Sequence, residues 1–207
     1  MNPKAQGEPG PTCDVLVIGG GPAGSTVASL LAEKGHHVVV LEKAHHPRFH
    51  IGESLLPANL PLFEKMGIAE QIKAIGMHKP GAEFVSPDHD CTQTFHFADA
   101  WDKSMPSAYQ VRRADFDDIL FRHAAAKGAQ VHEGAKVTKV DFLAEGGADV
   151  TARCDDGQEM QWRARFVIDA SGRDTFLANR FKIKQRNPHH NSSAVYAHFD
   201  GAQRREG

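Results

Sequence analysis

Gly19-x-Gly21-x-x-Gly24 is a spacing of glycines that can bind the phosphates of a dinucleotide. In such a loop the first glycine permits a tight turn and the second lets the backbone approach a pyrophosphate. The third lets the following helix pack closely on the preceding strand. The N-terminus of that helix, opened here by Pro22, Ala23 and Ser25, offers unpaired N–H groups and a positive dipole end to phosphates. Glu42, roughly 20 residues on, is placed to accept from ribose hydroxyls. An acid there disfavours a 2′-phosphate, so NADP is not expected at this site. The bland alternative is a glycine turn with no ligand. Against it stand a strand before the loop, a helix after it and an acid downstream, the context that a dinucleotide fingerprint requires.

The elements that must position these residues are legible as periodicity. Asp14 to Ile18 is a short apolar run rich in β-branched residues, which reads as a strand buried on both faces. Pro22 to Lys34 carries Val27, Leu30 and Leu31 at helical spacing and closes at Gly35. His37 to Leu41 is a second buried strand, so the loop sits inside a βαβ unit. A helix is expected over Glu53 to Met66, broken or kinked by Pro57 and Pro61, and a short one over Ile68 to Ile75. Strands and turns follow from Gly81 to Phe97, then an amphipathic helix over Asp115 to Lys127. Short strands are expected at Val131–Glu133, Val137–Phe142, Asp149–Arg153, Glu159–Trp162, Arg165–Ile168 and Ser193–Phe199, with a helix over Asp174–Phe181. The fold class is therefore α/β, a Rossmann-type domain with a mainly parallel sheet plus inserted β-strands.

Composition narrows the function classes. The chain has 207 residues, 41% of them hydrophobic, and a formal net charge of −2, which gives no electrostatic footprint for nucleic acid. No apolar run approaches the roughly 18 residues of a membrane span. Cys13, Cys91 and Cys154 have neither metal nor redox spacing and fit reduced cysteines of a cytoplasmic protein. The adjacent histidines His36-His37, His45-His46 and His189-His190 point in different directions within a regular element, so no metal site is expected. Residues 1–12 are polar and read as a disordered leader, with 13–207 as the domain and 76–112 contributing to the start of a substrate region.

Asp14-Val-Leu-Val-Ile-Gly-Gly-Gly-Pro-Ala-Gly-Ser-Thr with Val40-Leu41-Glu42-Lys43 resembles the flavoprotein superfamily of aromatic monooxygenases, geranylgeranyl reductases and flavin-dependent halogenases. Arg113-Ala-Asp-Phe116-Asp117 looks like that family's arginine at the start of the long helix, which reaches the flavin cofactor. Gly134-Ala-Lys-Val137 is similar to the segment whose backbone touches adenine, and Asp169-Ala-Ser-Gly172-Arg173 to the turn that follows a strand end. Pro47-Arg48-Phe49-His50-Ile51-Gly52-Glu53-Ser54-Leu55-Leu56-Pro57 looks most like the halogenases, and Lys79 falls where those enzymes carry an essential lysine. From the residues alone, Lys79 is equally a surface lysine ahead of a strand.

The resemblance implies FAD as cofactor. It is held by Gly19, Gly21, Pro22, Ala23, Gly24, Ser25, Glu42, Lys43, Arg48, Ser54, Arg113, Val137 and Asp169, with Lys79 as the catalytic residue. It also implies a separate flavin reductase, halide and a small aromatic or carrier-protein-tethered substrate. The lysine would be buried, as an ammonium donating a hydrogen bond to hypohalous acid or as an amine forming a haloamine. A self-reducing hydroxylase, a geranylgeranyl-reductase-like enzyme and an inactive nucleotide-binding module stay open. The family's second flavin motif and the halogenases' Trp-x-Trp-x-Ile-Pro signature do not occur; Trp101 and Trp162 are isolated. The chain is therefore expected to be an incomplete, C-terminally truncated domain. Val15, Val17, Val39 and Ile168 would then lie in a poorly covered sheet, and the isolated chain would bind FAD weakly or be poorly soluble.

Overall fold

The computed structural model describes residues 12–201 apart from 186, 190–192, 194 and 198. Fifteen elements carry the fold in chain order: β1 (Thr12–Ile18), α1 (Pro22–Ala32), β2 (Val38–Leu41), α2 (Leu60–Met66), α3 (Ala69–Ile75), β3 (Met77–Lys79), β4 (Gly81–Ser86), β5 (Cys91–His96), β6 (Ala108–Gln110), α4 (Arg113–Ala126), β7 (Gln130–His132), β8 (Ala135–Phe142), β9 (Ala148–Cys154), β10 (Glu159–Asp169) and α5 (Phe176–Arg180). The main sheet has six strands in the order β7-β2-β1-β10-β9-β8. Strands β7, β2, β1 and β10 run parallel, while β9 and β8 are added antiparallel.

Alternation along β1 divides the core. Val15 and Val17 face α1 and α4, packing with Val38, Val40, Ala28, Phe121 and Ala124. Leu16 and Ile18 face the other way, with Val39 and Leu41, against Val137, Val140 and Val150 of the antiparallel strands and Trp162 at the start of β10. A third cluster joins α2, α3 and α4 through Phe63, Ile72, Phe116 and Leu120. Parallel strands buried on both faces must be apolar throughout, which is why β2 reads Val-Val-Val-Leu.

Strand β10 joins the two halves of the sheet. Its Glu159–Ala164 half pairs with β9 and its Arg163–Asp169 half with β1. The sequence suggested two strands here because Arg163 and Arg165 interrupt the apolar run. Both arginines instead find carboxylates on neighbouring strands: Arg163 pairs with Asp149 at 2.7 Å and Arg165 with Asp14 at 3.2 Å.

Other expectations are corrected. The helix expected from Glu53 begins as a 3₁₀ turn at Pro57 and becomes α2 at Leu60, because proline suits the first positions of a helix and no interior one. Glu53 and Ser54 are extended; Glu53 O accepts from Val111 N at 2.9 Å and Ser54 bridges to Gln110. Helix α4 starts two residues earlier than its apolar pattern, so Arg113 is its first residue. Thr12 belongs to β1 rather than to the leader, whose residues 1–11 lie outside the described residues. Of the strand expected over Ser193–Phe199, residues 194 and 198 lie outside the described residues, and the described positions there form no strand. Val15, Val17 and Val39 are buried rather than poorly covered, since the helices close one face and the antiparallel strands the other, while Ile168 is half-buried. Exposed apolar side chains lie elsewhere, among them Trp101, Phe166 on β10 and Phe84, Val85 and Phe95 on the β4–β5 hairpin.

Candidate functional site

A cleft of about 470 Å³ opens outside the carboxyl ends of β1, β2 and β10, where ligands of open α/β sheets bind. Gly19, Gly21, Pro22 and Ala23 form its floor. Gly19 has φ +100°, and a Cβ there would meet Ala170 O at 2.6 Å. At Gly24 a Cβ would fall 1.9 Å from Gly19 O, so only glycine lets α1 start this close to β1. Gly24 and Ser25 stand behind the residues that line the cleft. Ser25 is fully buried, and its hydroxyl donates to Gly20 O at 2.9 Å, bracing the loop from behind.

Gly21 is the N-cap of α1, and a Cβ on it would have no neighbour closer than Arg48 Nη2 at 3.7 Å. The loop therefore presents bare backbone to the cleft, under one guanidinium and beside the unpaired N–H groups of the first turn. The first turn of α1 has no acidic side chain to occupy its positive end. These are the features that a diphosphate requires.

Glu42 stands at the end of β2 and is 4% exposed. Its Oε2 accepts from Gly20 N at 2.7 Å and its Oε1 from Ala44 N at 2.8 Å. The carboxylate ties the loop to β2 and keeps lone pairs for a ribose hydroxyl. Lys43 also lines the cleft, and its ammonium is paired with Asp174, whose carboxyl it holds below the usual carboxylate range by hydrogen bond and charge. Ala135 and Val137 of β8 supply an apolar wall on the far side.

Arg48 and Arg113 reach the cleft from distant segments and meet at Asp117, a fully buried carboxylate on α4. Arg113 makes a bidentate pair with it, Nε to Oδ1 at 2.7 Å and Nη2 to Oδ2 at 3.0 Å. Its Nη1 donates to Ile51 O at 2.9 Å. Arg48 Nη1 lies 3.4 Å from Asp117 Oδ2, and its Nη2 lies 4.0 Å from Glu42. Asp117 was overlooked in the sequence, although its i,i+4 spacing from Arg113 on a helix was the available signal. A second tie was also missed: His46 donates its N–H to Glu133 at 2.6 Å and stacks on Phe121. Together these contacts pin the loop 44–54 against α4.

Asp169 does not face the cleft. Its Oδ1 accepts from Ser171 N and Oγ, and its Oδ2 from Leu177 N at 2.7 Å, so it shapes the turn and starts α5. The residues of that turn which do line the cleft are Ala170 to Asp174.

Ser54 and Lys79 also lie outside the cleft, but they meet each other. Lys79 Nζ donates to Ser54 Oγ at 2.5 Å and to Leu55 O at 3.3 Å, and sits 5.2 Å from the Phe97 ring centre. Lys79 is half-buried rather than buried, because β3 carries it at the edge of a two-stranded sheet with β6.

The sequence pattern of the family described as "FAD binding domain" matches residues 12–204. The 1H-pyrrole-2-carbonyl-(peptidyl-carrier protein) chlorinase of Pseudomonas fluorescens is 35% identical, over 93% of this chain and 46% of its own length. A flavin-dependent halogenase of Armillaria mellea is 39% identical over 92% of this chain and 38% of its own. The solved structure of the myxobacterial chondrochloren halogenase CndH superposes with a TM-score of 0.73 at 41% identity, over 80% of this chain and 38% of that one. The chain thus spans less than half the length of the curated relatives it matches. The glycine loop, the buried acid and the paired arginines all lie within that span, and the chain belongs to the FAD-binding domain family.

Proposed function

We propose that this chain is the cofactor-gripping and lysine-bearing part of a flavin-dependent halogenase. One observation carries the reading. Lys79 and Ser54, far apart in sequence and both singled out by resemblance, meet at 2.5 Å at the end of the loop that walls the cofactor cleft. The similarity to named halogenases supports it.

The protein's own groups divide the work. The first turn of α1 and Arg48 bind the diphosphate with Arg113 beside them, Glu42 accepts from the ribose, and Ala135 and Val137 wall the adenine. When bound and reduced, FAD supplies the electrons with which dioxygen oxidises halide to hypohalous acid. Lys79 is the catalytic residue. An ammonium has three donors, and two are engaged by Ser54 and Leu55, so one N–H remains to hold hypohalous acid. Ser54 and the Phe97 face fix the direction of that donor. Residues 76–112 begin the substrate region, and the apolar hairpin surface at Phe84 and Phe95 is its first wall. The substrate is a small aromatic ring or a carrier-tethered one, as the pyrrole chlorinase's name indicates for that relative. A separate flavin reductase supplies reduced FAD, and the cytoplasm is the expected location. Among the described residues no helix is long and apolar enough to cross a membrane.

The test is product analysis of the protein that carries this chain, given reduced FAD, dioxygen, halide, and phenol or carrier-bound pyrrole. Halogenated product is expected, lost in Lys79→Met with FAD affinity unchanged. Hydroxylated product without halogen, or NADPH oxidation by the protein alone, would contradict the proposal.

A further inference from the structure

We infer that Asp117 is the positioning residue of the diphosphate site, and that it divides labour between the two arginines. Arg113 is the fixed member and Arg48 the gripping one. This rests on the reading that the cleft takes the adenosine diphosphate half of FAD.

The donor inventory supports the division. A guanidinium has five N–H donors. Arg113 spends its Nε, Nη1 and Nη2 groups on Asp117 and on the carbonyls of Ile51 and Gly52, and its side chain is 12% exposed. It lines the cleft with little left to give. Arg48 stands differently. Its nearest acceptors are ion-pair contacts at 3.4 and 4.0 Å, longer than a good charge-assisted hydrogen bond. Its Nη2 lies 3.7 Å from where a Cβ on Gly21 would stand. Donors aimed at the start of α1, held by a carboxylate behind them, are what an incoming diphosphate would complete.

The electrostatics explain why one carboxylate must serve both. Two guanidinium groups repel, and bringing them to one wall of a half-buried cleft needs a negative charge between them. Asp117 lies on α4 at the junction of the loop and the cleft, and it is fully buried. Arg113 engages both of its oxygens, and Oδ2 is shared with Arg48, whose Nη1 lies 3.4 Å away. Because Arg113 also ties the carbonyl of Ile51, the same carboxylate fixes the backbone on which Arg48 is carried. Asp117 acts through Arg48 and touches no ligand itself.

The test uses the full chain and three probes, FAD, ADP and adenosine, with binding followed by calorimetry and by quenching of FAD fluorescence. Asp117→Asn keeps the side chain's size and removes its charge. The expected result is weakening of FAD and ADP binding by roughly tenfold or more, as for loss of a buried charge partner, with adenosine affinity changed by less than about twofold. A fold defect would move all three probes together, and such a result overturns the proposal. In an Arg48→Ala background the same substitution should add less than about threefold, since its route of action is gone; full additivity overturns it. If Asp117→Asn does not fold, the neutral pair Arg113→Gln with Asp117→Asn leaves no buried charge without a partner. That pair should bind ADP more weakly than Arg113→Gln alone, and equal affinity overturns the proposal. Failure of both to fold makes Asp117 a residue of the core and overturns it as well. A wild-type chain that binds neither FAD nor ADP would instead remove the underlying cofactor reading.

Discussion

The cofactor cleft and the segment from Met77 to Gln110 are built in opposite ways. The cleft rests on strands whose side chains are closed on both faces: Leu16, Val17, Val38 and Val40 are all fully buried. Its ligand-facing surface is mostly backbone and paired charge. The β4–β5 hairpin packs on nothing comparable, and every described side chain of β5 is exposed. Phe84 is 63% and Phe95 53% exposed. Lys79 sits between these regions, on a short edge strand yet anchored to the cleft's loop through Ser54. The contrast separates two tasks. Gripping a diphosphate needs backbone held to fractions of an ångström, which only a closed core provides. The proposed substrate wall needs the reverse, apolar surface that the described residues leave open.

The sharpest way to break this comparison is to apply the same steric insult to both regions. A Cβ at Gly24 would fall 1.9 Å from Gly19 O, and one at Gly81 would fall 2.3 Å from Phe95 O. Gly24→Ala should destabilise the chain by about 3 kcal/mol or more and abolish FAD binding, since the clash lies inside the closed core. Gly81→Ala should open the hairpin locally and shift global stability by less than about 1 kcal/mol, with FAD affinity retained. Denaturant melts followed by far-ultraviolet circular dichroism read both. Equal losses would show that the hairpin belongs to the same cooperative unit.

Glu42→Gln should have the next largest effect. Both oxygens of Glu42 accept backbone N–H groups, and an amide can accept on only one side, so Gly20 N or Ala44 N loses its partner. A loss of about 1–3 kcal/mol is expected, with weaker adenosine binding. Unchanged stability would show that the loop does not depend on this tie.

How much of this was legible in the sequence follows the same division. Gly19, Gly21, Gly24 and Glu42 could be read because backbone geometry dictates their residue types. The centres of β1 and β2 could be read because burial on both faces leaves them apolar, whereas Arg163 and Arg165 made the single strand β10 look like two. Arg113 and Lys79 entered through resemblance, and the contact between Lys79 and Ser54 could not be foreseen, since it depends on where a proline-broken segment runs. Extension of Glu53 and Ser54 beside Val111 and Gln110 overrode the helical pattern there. Asp117 was hidden because a buried carboxylate looks like any other polar position of an amphipathic helix until its partners are known. Asp169 and Ser25 carried the right motif, but their side chains serve the turn and the loop rather than the cleft.

Acid should loosen the closed region gradually. Burial holds both His123 and His132 below the ordinary imidazole value of 6.5. For such groups the stabilising contribution is complete above that value and is lost as pH falls below it, because only the folded state resists protonation. Thermal midpoints should therefore drop from about pH 7 to about pH 5, and the drop should be smaller in His132→Phe, which keeps a ring against Trp162. An unchanged drop would assign the acid sensitivity to other groups. The smallest effect belongs to the open region. Phe84→Ser with Phe95→Ser should change FAD affinity by less than about twofold while raising solubility. A large loss of affinity would place the hairpin in the cofactor site.

On the function proposed above, this chain grips the adenosine diphosphate end of the cofactor. The most direct test is a titration of the chain with FAD, ADP and FMN side by side. FAD and ADP should bind with similar affinity and compete for one site, while FMN, which lacks the adenosine and the diphosphate, should bind far more weakly or not at all. FMN binding as tight as FAD, or FAD binding that ADP cannot displace, would contradict it.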